Sequence, residues 1–222
     1  MKRILFIIVA VFISFNIDAQ TVDCSRTTKF GEVDLCLPNI DGYQECYLNP
    51  EIKQIADATE VPTNVVLGYY LNNATLGNID DPELPYFTDF FKVYGTLQVK
   101  DLEADEAILK EMQEVLEGNF FSANWGEIKD ELAELELEIE VGEPRMIESY
   151  NLNKESFSLI MLTKYDLDEE NSYTLAMVIN GILLKDRLVW MAYYLEYEDQ
   201  STFETIKAKS NLITNSLLKA NR

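Results

Sequence analysis

The chain contains no histidine. Without an imidazole there is no Ser-His-Asp or Cys-His catalysis, no His-bearing zinc site and no His-based switch near neutral pH. Acid–base chemistry would have to rest on carboxylates, lysine, tyrosine or cysteine. Cysteine is scarce too: Cys24, Cys36 and Cys46 are the only three, and no CxxC pair occurs. A thioredoxin-type redox role therefore has no support. Basic residues are few, with 18 Lys and Arg against 39 Asp and Glu, a net charge of −21. Such a surface repels nucleic acid and anionic lipid and favours cationic partners or divalent ions. No glycine-rich phosphate loop, nucleophile elbow or basic patch is present. Long apolar runs are missing as well, except at the N-terminus.

There, Lys2 and Arg3 precede an uncharged apolar run from Ile4 to Ile13, extended by Phe15 and closed by Asn16-Ile17-Asp18-Ala19-Gln20. A positive start, a short apolar core and a small residue at the cut form the pattern of a cleaved secretory signal. The run is shorter than the ~20 apolar residues that a membrane span needs. Cleavage is expected between Ala19 and Gln20. It would leave an exported protein, periplasmic or extracellular, with no membrane insertion after processing. The Ala-Gln junction after so short a run resembles those of secreted Bacteroidota proteins. Cys24 follows Thr21-Val22-Asp23 rather than the small-residue box that precedes a lipidated cysteine. Loss of Lys2, Arg3 and Asp18 moves the charge from −21 by one unit, to −22. Export permits disulfides. Three cysteines allow three pairings, each leaving one thiol over. The expected pair is Cys36–Cys46, because Pro38 and Asp41-Gly42 let the chain double back between them. The alternative is three thiols, with Cys36 an inward-facing strand residue.

Periodicity organises the remainder. Residues 20–30 are polar and read as a flexible leader, and residues 31–222 as a single domain. Strands are expected over Glu32 to Leu37, Thr63 to Leu71 and Thr88 to Val99. A short helix fits Pro50 to Ala58, with Asn49 as its cap and proline at its first position. Asn72 to Pro85 reads as a loop. Then Ala104, Ala107, Ile108, Met112, Val115 and Leu116 recur at helical spacing up to Gly118. A second helix is expected from Ser122, with Trp125, Ile128, Leu132 and Leu135 as its inner stripe. From Leu135 the period becomes two, with Leu137, Ile139 and Val141 alternating against glutamates. Four further strands are expected over Met146 to Leu152, Ser156 to Lys164, Tyr173 to Leu184 and Arg187 to Tyr197, joined too tightly to be other than antiparallel. A last helix begins at Ser201. This order predicts an α+β fold: a single antiparallel β-sheet with helices packed on its faces and a C-terminal helix. The closing hairpin and helix, Tyr173 to Asn221, loosely resemble those of the Mog1/PsbP-type α/β/α sandwich. That resemblance is architectural and implies no site.

Candidate binding residues come from charge and aromaticity. Glu134, Glu136, Glu138 and Glu140 fall on one strand face, ~7 Å apart along it, and would suit a cation or a basic partner. The competing reading is a solvated face that discourages edge-to-edge pairing. Asp80 and Asp81 lie in the long loop, where binding residues often reside. Asp166, Asp168, Glu170 and Asn171 fail as an EF-hand loop, since positions six and twelve are Asn171 and Met177. Asn73-Ala74-Thr75 is a glycosylation sequon, which means little if the source is bacterial. Tyr69, Tyr70, Phe90, Phe91, Tyr94, Trp190, Tyr193 and Tyr194 suit either a sheet core or the lining of a ligand groove, and core is the reading taken. No catalytic, cofactor-binding or metal-ligating set stands out. Two functions remain: a non-enzymatic exported module that binds a protein partner, or a small hydrolase working through paired carboxylates.

Overall fold

A computed structural model describes residues 23–77, 88–118, 120–133, 140–166 and 172–222. The fold is α+β. An N-terminal hairpin, β1 (Cys24–Phe30) and β2 (Val33–Pro38), forms a two-stranded ribbon of its own. The remaining strands are β3 (Tyr43–Glu45), β4 (Asn64–Asn72), β5 (Asp89–Thr96), β6 (Glu140–Val141), β7 (Arg145–Asn153), β8 (Ser156–Asp166), β9 (Ser172–Leu184) and β10 (Arg187–Glu196). They make an eight-stranded, antiparallel sheet in the order β3-β4-β5-β10-β9-β8, with β6 and β7 both paired along the outer edge of β8. The helices are α1 (Pro50–Ala58), α2 (Asn73–Leu76), α3 (Glu106–Glu117), α4 (Phe120–Ala133) and α5 (Ser201–Ala220). No helix among the described residues is long and apolar enough to cross a membrane.

Local chemistry sets the element boundaries. The Asn49 side chain accepts hydrogen bonds from the Glu51 and Ile52 N–H groups, and Pro50 starts α1. The Asp105 carboxylate does the same for Ala107 and Ile108 at the start of α3. Lys185 and Asp186 take φ of 49° and 59° between β9 and β10. Both central residues of a tight two-residue hairpin need positive φ, so the turn matches the strand twist.

Two expectations fail at the N-terminus. Residues 20–30 are not a flexible leader throughout, because Cys24–Phe30 pair with β2. The polar composition conceals this strand, whose inward side chains are held partly by polar contacts. Arg26 forms an ion pair with Glu45 at 2.9 Å and also donates to the Leu67 carbonyl. Nor is the disulfide Cys36–Cys46. Cys24 and Cys36 are bonded, with Cα atoms 5.4 Å apart. The chain does turn at Ile40 to Tyr43, where Gly42 has φ 80°. The turn carries it outward to β3 on the sheet edge instead of back across β2. Cys46 ends up buried beneath α1 with Ile52 and Ala56, its thiol donating to the Gln44 carbonyl.

The sheet separates two layers. On one face, α5 and the ribbon close a continuous core that includes Phe30, Leu35, Leu37, Tyr70, Phe91, Val93, Val178, Met191, Tyr193, Ile206, Ile213 and Leu217. The Phe30 ring lies over Gly95, where a Cβ would sit 2.3 Å from it. Several buried polar side chains on this face are paired, although the Thr214 hydroxyl of α5 is not. Ser158 and Ser210 donate to the Asn180 carbonyl oxygen, and Asn180 donates to the Met191 carbonyl. At the end of α5, Asn221 acts as a strand partner for the ribbon. It accepts from the Cys36 N–H at 2.8 Å and donates to the Cys36 carbonyl at 2.9 Å. On the other face, α1 covers β4 while α3 and the start of α4 cover the β7–β8–β9 side.

A half-covered aromatic face as the candidate functional site

Strand alternation sorts the aromatic residues. In β5, Phe91 and Val93 point to α5, so Phe90, Lys92 and Tyr94 point the other way. The register carries this parity across the sheet. Tyr94 lies opposite Trp190, Lys92 opposite Ala192 and Tyr69, and Phe90 opposite Tyr194. Trp190 and Ala192 continue to Gly181 and Ile179 on β9. Met177 and Met161 extend the Phe90–Tyr194 row. One face of the mid-sheet therefore carries an aromatic and aliphatic floor between α1 and the α3–α4 pair.

That floor is only partly covered. Phe90, Tyr94, Ile179, Trp190 and Tyr194 are each half-buried. Tyr94 and Tyr194 are packed round by protein atoms yet keep part of their surface accessible, so they are recessed rather than sealed. Tyr69, Phe90 and Tyr194 stack in series, with centroids 5.5 and 4.6 Å apart. Phe120 and Phe121 of α4 pack in one cluster with Trp190. Phe120, Phe121, Trp125, Ile128 and Leu132 of α4 are half-buried, and no described side chain of that helix is fully buried.

The polar groups here are neutral or neutralised. Lys92 Nζ lies 2.7 Å from Glu60 Oε2, with the two side chains 12% and 8% exposed. Asn64 donates to the other Glu60 oxygen at 2.9 Å. Lys92 also sits 5.3 Å from the Tyr94 ring centroid. Burial pushes the phenol pKa values of Tyr69, Tyr94, Tyr165 and Tyr194 upward, and the nearby Tyr194 or Glu60 charge pushes in the same direction. All four stay protonated at neutral pH. Tyr94 and Tyr194 make no hydroxyl hydrogen bond to any described residue. The arrangement suits apolar contact with a few neutral donors.

A second polar cluster gathers at Asp89, at the start of β5. Its carboxylate accepts from the Tyr43 and Tyr193 hydroxyls at 2.6 and 3.0 Å, from Asn72 at 3.0 Å and from Lys209 at 2.9 Å. Four donors fill the acceptor capacity of a carboxylate. This cluster ties β3, β4, β10 and α5 together and has nothing spare for a ligand.

The residues nominated by charge fare differently. Glu140 opens β6, is exposed and pairs with Lys129 of α4 at 3.2 Å. Glu134, Glu136 and Glu138 lie outside the described residues, as do Asp80 and Asp81, and Ala19 and Gln20 of the cleavage site. Asp166 pairs with Lys164 at 2.6 Å, and its neighbours Asp168, Glu170 and Asn171 also lie outside. Among the described residues, no three Cys, Asp or Glu side chains are grouped as a metal site. Ser122 is not the cap of α4, which starts two residues earlier, and its hydroxyl donates to Glu143 at 2.7 Å. Sequence reading placed the aromatics in the core as one group and overlooked Lys92 and Glu60. The usable signal was parity: a lysine between Phe90 and Tyr94 marks the side that is less tightly closed.

No family model matches the chain, and no curated protein matches it. Among solved structures it is similar to a point mutant of protein Mog1, at 12% identity over 88% of this chain and 93% of that one, with a TM-score of 0.32. It is likewise similar to the Saccharomyces cerevisiae Ran-binding protein Mog1p, at 13% identity over 88% and 92%, with a TM-score of 0.31. The resemblance is loose and carries no motif.

Proposed function

We propose that this is an exported, non-enzymatic binding protein whose site is the half-covered aromatic face of its sheet. The observation that carries this reading is the contrast in cover: the same central strands are sealed on the α5 side and left partly open on the other. The accessible parts of Trp190, Tyr94, Tyr194 and Ile179 cost free energy in water that a ligand would recover by covering them. The N-terminal signal pattern supports export. The excess of acids supports a cationic partner protein that meets the outer surface, an attachment that salt should weaken.

Titration of the processed protein with the neutral fluorophore N-phenylnaphthylamine tests the site. Saturable binding, accompanied by a change in tryptophan emission, is expected. Ile179→Glu should abolish it while leaving the circular dichroism spectrum intact. Absence of saturable binding would sink the reading. Hydrolysis of a glycoside panel at useful rates would favour the carboxylate enzyme instead. N-terminal sequencing of the exported form should begin at Gln20, and a chain retained from Met1 would argue against processing.

A further inference from the structure

We infer that β1 is a redox-released strap: reduction of the Cys24–Cys36 bond frees its first half from the ribbon while the rest of the domain stays folded. The half-covered face plays no part in this.

The two strands of the ribbon are anchored unequally. β2 is fastened to the body of the fold along its length. Lys185 donates to the Asp34 carbonyl, the Asn221 side chain engages both backbone groups of Cys36, and the Tyr70 hydroxyl donates to the Pro38 carbonyl. Leu35 and Leu37 are 0% and 1% exposed. β1 pairs with β2 and with no other described strand. Its outward side chains, Ser25, Thr27 and Lys29, are exposed, and Cys24, Arg26 and Thr28 are half-buried. Its one fully buried side chain is Phe30, at the far end. The first half therefore buries little apolar area, and such segments open at low cost. The disulfide staples this weakly held end to a well-anchored residue of β2. A second latch is Arg26, which pairs with Glu45 and donates to the Leu67 carbonyl. Glu45 is not stranded when the guanidinium leaves, because the Tyr47 and Tyr69 N–H groups also donate to it. Cys24 is the more accessible sulfur, since Cys36 is 6% exposed. The thiolate of a dithiol reductant attacks Cys24 Sγ, the S–S bond breaks, and Cys36 leaves and takes up a proton. The reductant's second thiolate then displaces Cys24 and closes its own disulfide, and Cys24 takes up a proton. Cys46 stays out of the exchange, being buried beneath α1 with its thiol pKa raised by that burial.

Hydrogen exchange read by mass spectrometry, on the oxidised protein and after dithiothreitol, tests the strap. Iodoacetamide labelling, faster at Cys24 than at Cys36, confirms that the bond has been reduced. The bonded cysteines are 12 positions apart, and opening a loop of that size from its cross-link shifts the equilibrium by about a hundredfold. Amides of residues 25–29 should therefore exchange about a hundredfold faster after reduction, while β9, β10 and α5 keep their protection. Trypsin should then cut after Arg26 and Lys29 before any site in α5. Cys24→Ser should show the same release without reductant, and the reduced natural chain carries the test should that variant fail to fold. Oxidised Arg26→Gln should keep β1 protected. Unchanged exchange in β1 after reduction overturns the inference. So does loss of protection in β9 and α5 together with β1, which would make the bond a support of the whole domain. Release of β1 in oxidised Arg26→Gln would make the ion pair the latch and overturn it equally.

Discussion

The two faces of the sheet use the same strands and comparable aromatic content, yet one is sealed and the other is not. Phe91 and Tyr193 lie sealed under α5, while Phe90 and Tyr194, one residue away in each strand, are only partly buried. The difference is the length of what covers them. The 20-residue α5 spans ~30 Å, enough to cross the sheet, and buries seven of its side chains. The ribbon fills the remainder, bonded to the end of α5 through Asn221 and Cys36. Opposite, α1 has nine residues and α3 has twelve, ~14 and ~18 Å. They cover the flanks as two separate clusters, and between them Phe90, Tyr94, Ile179, Trp190 and Tyr194 stay partly exposed beside the buried Ala192, Met161 and Met177. A face is sealed when a cover spans it, whatever the strand beneath offers.

Alkali should break both faces at once and produce the largest effect. Burial raises the pKa of Tyr69, Tyr70 and Tyr193 above the ordinary value of 10. Below pH 10 the folded and unfolded chains are both protonated, so their stabilisation is intact. Above it the unfolded chain ionises first, and each tyrosine removes about 1.4 kcal/mol per pH unit. Urea denaturation at pH 8 and pH 11 should differ by roughly 4 kcal/mol from these three alone. Coincident midpoints would refute the buried, protonated assignment.

Next in size, Ile213→Ala under α5, where the side chain is 1% exposed, should cost about 2–5 kcal/mol in the same assay. Reducing the Cys24–Cys36 bond, or the Cys24→Ser variant, should cost about 2–4 kcal/mol, whereas peptide mapping of Cys46→Ser should still recover the bond. A Cys36–Cys46 peptide instead would undo the ribbon as described. Asn221→Ala leaves the Cys36 N–H and carbonyl without their side-chain partner and should lose about 1–3 kcal/mol, with faster amide exchange in β2 ahead of β9. The smallest effect belongs to α4. Ile128→Ala should cost under about 1 kcal/mol, because the side chain is not sealed to begin with. A cost equal to that of Ile213→Ala would erase the distinction between the faces.

Much of the architecture was legible in the chain. The cap at Asn49, the helical stripes of α3 and α5 and the closing run of strands all fall close to where the sequence puts them, because each depends on neighbours three to four residues away or on alternation. The ribbon was not legible. Arg26, Thr28 and the cysteines make β1 look like a polar leader, and its partners Glu45 and Leu67 are brought near only by the fold. The cysteine pairing failed for the same reason: a turn at Gly42 is readable, but its direction is not. The candidate site was half legible. The aromatic set had been picked out, while the Lys92–Glu60 pair spans 32 residues and has no local signature.

Composition alone determined the absence of imidazole chemistry and the strongly acidic character, since both follow from counting residues. Alternation alone determined that Phe90 and Tyr94 must face away from Phe91 and Val93, because a strand's side chains have a period of two. Which of those two sides would be closed was decided only in three dimensions. It depended on where a 20-residue helix lay down and on a ribbon joined to its last turn, contacts between residues up to 185 positions apart that no local pattern encodes.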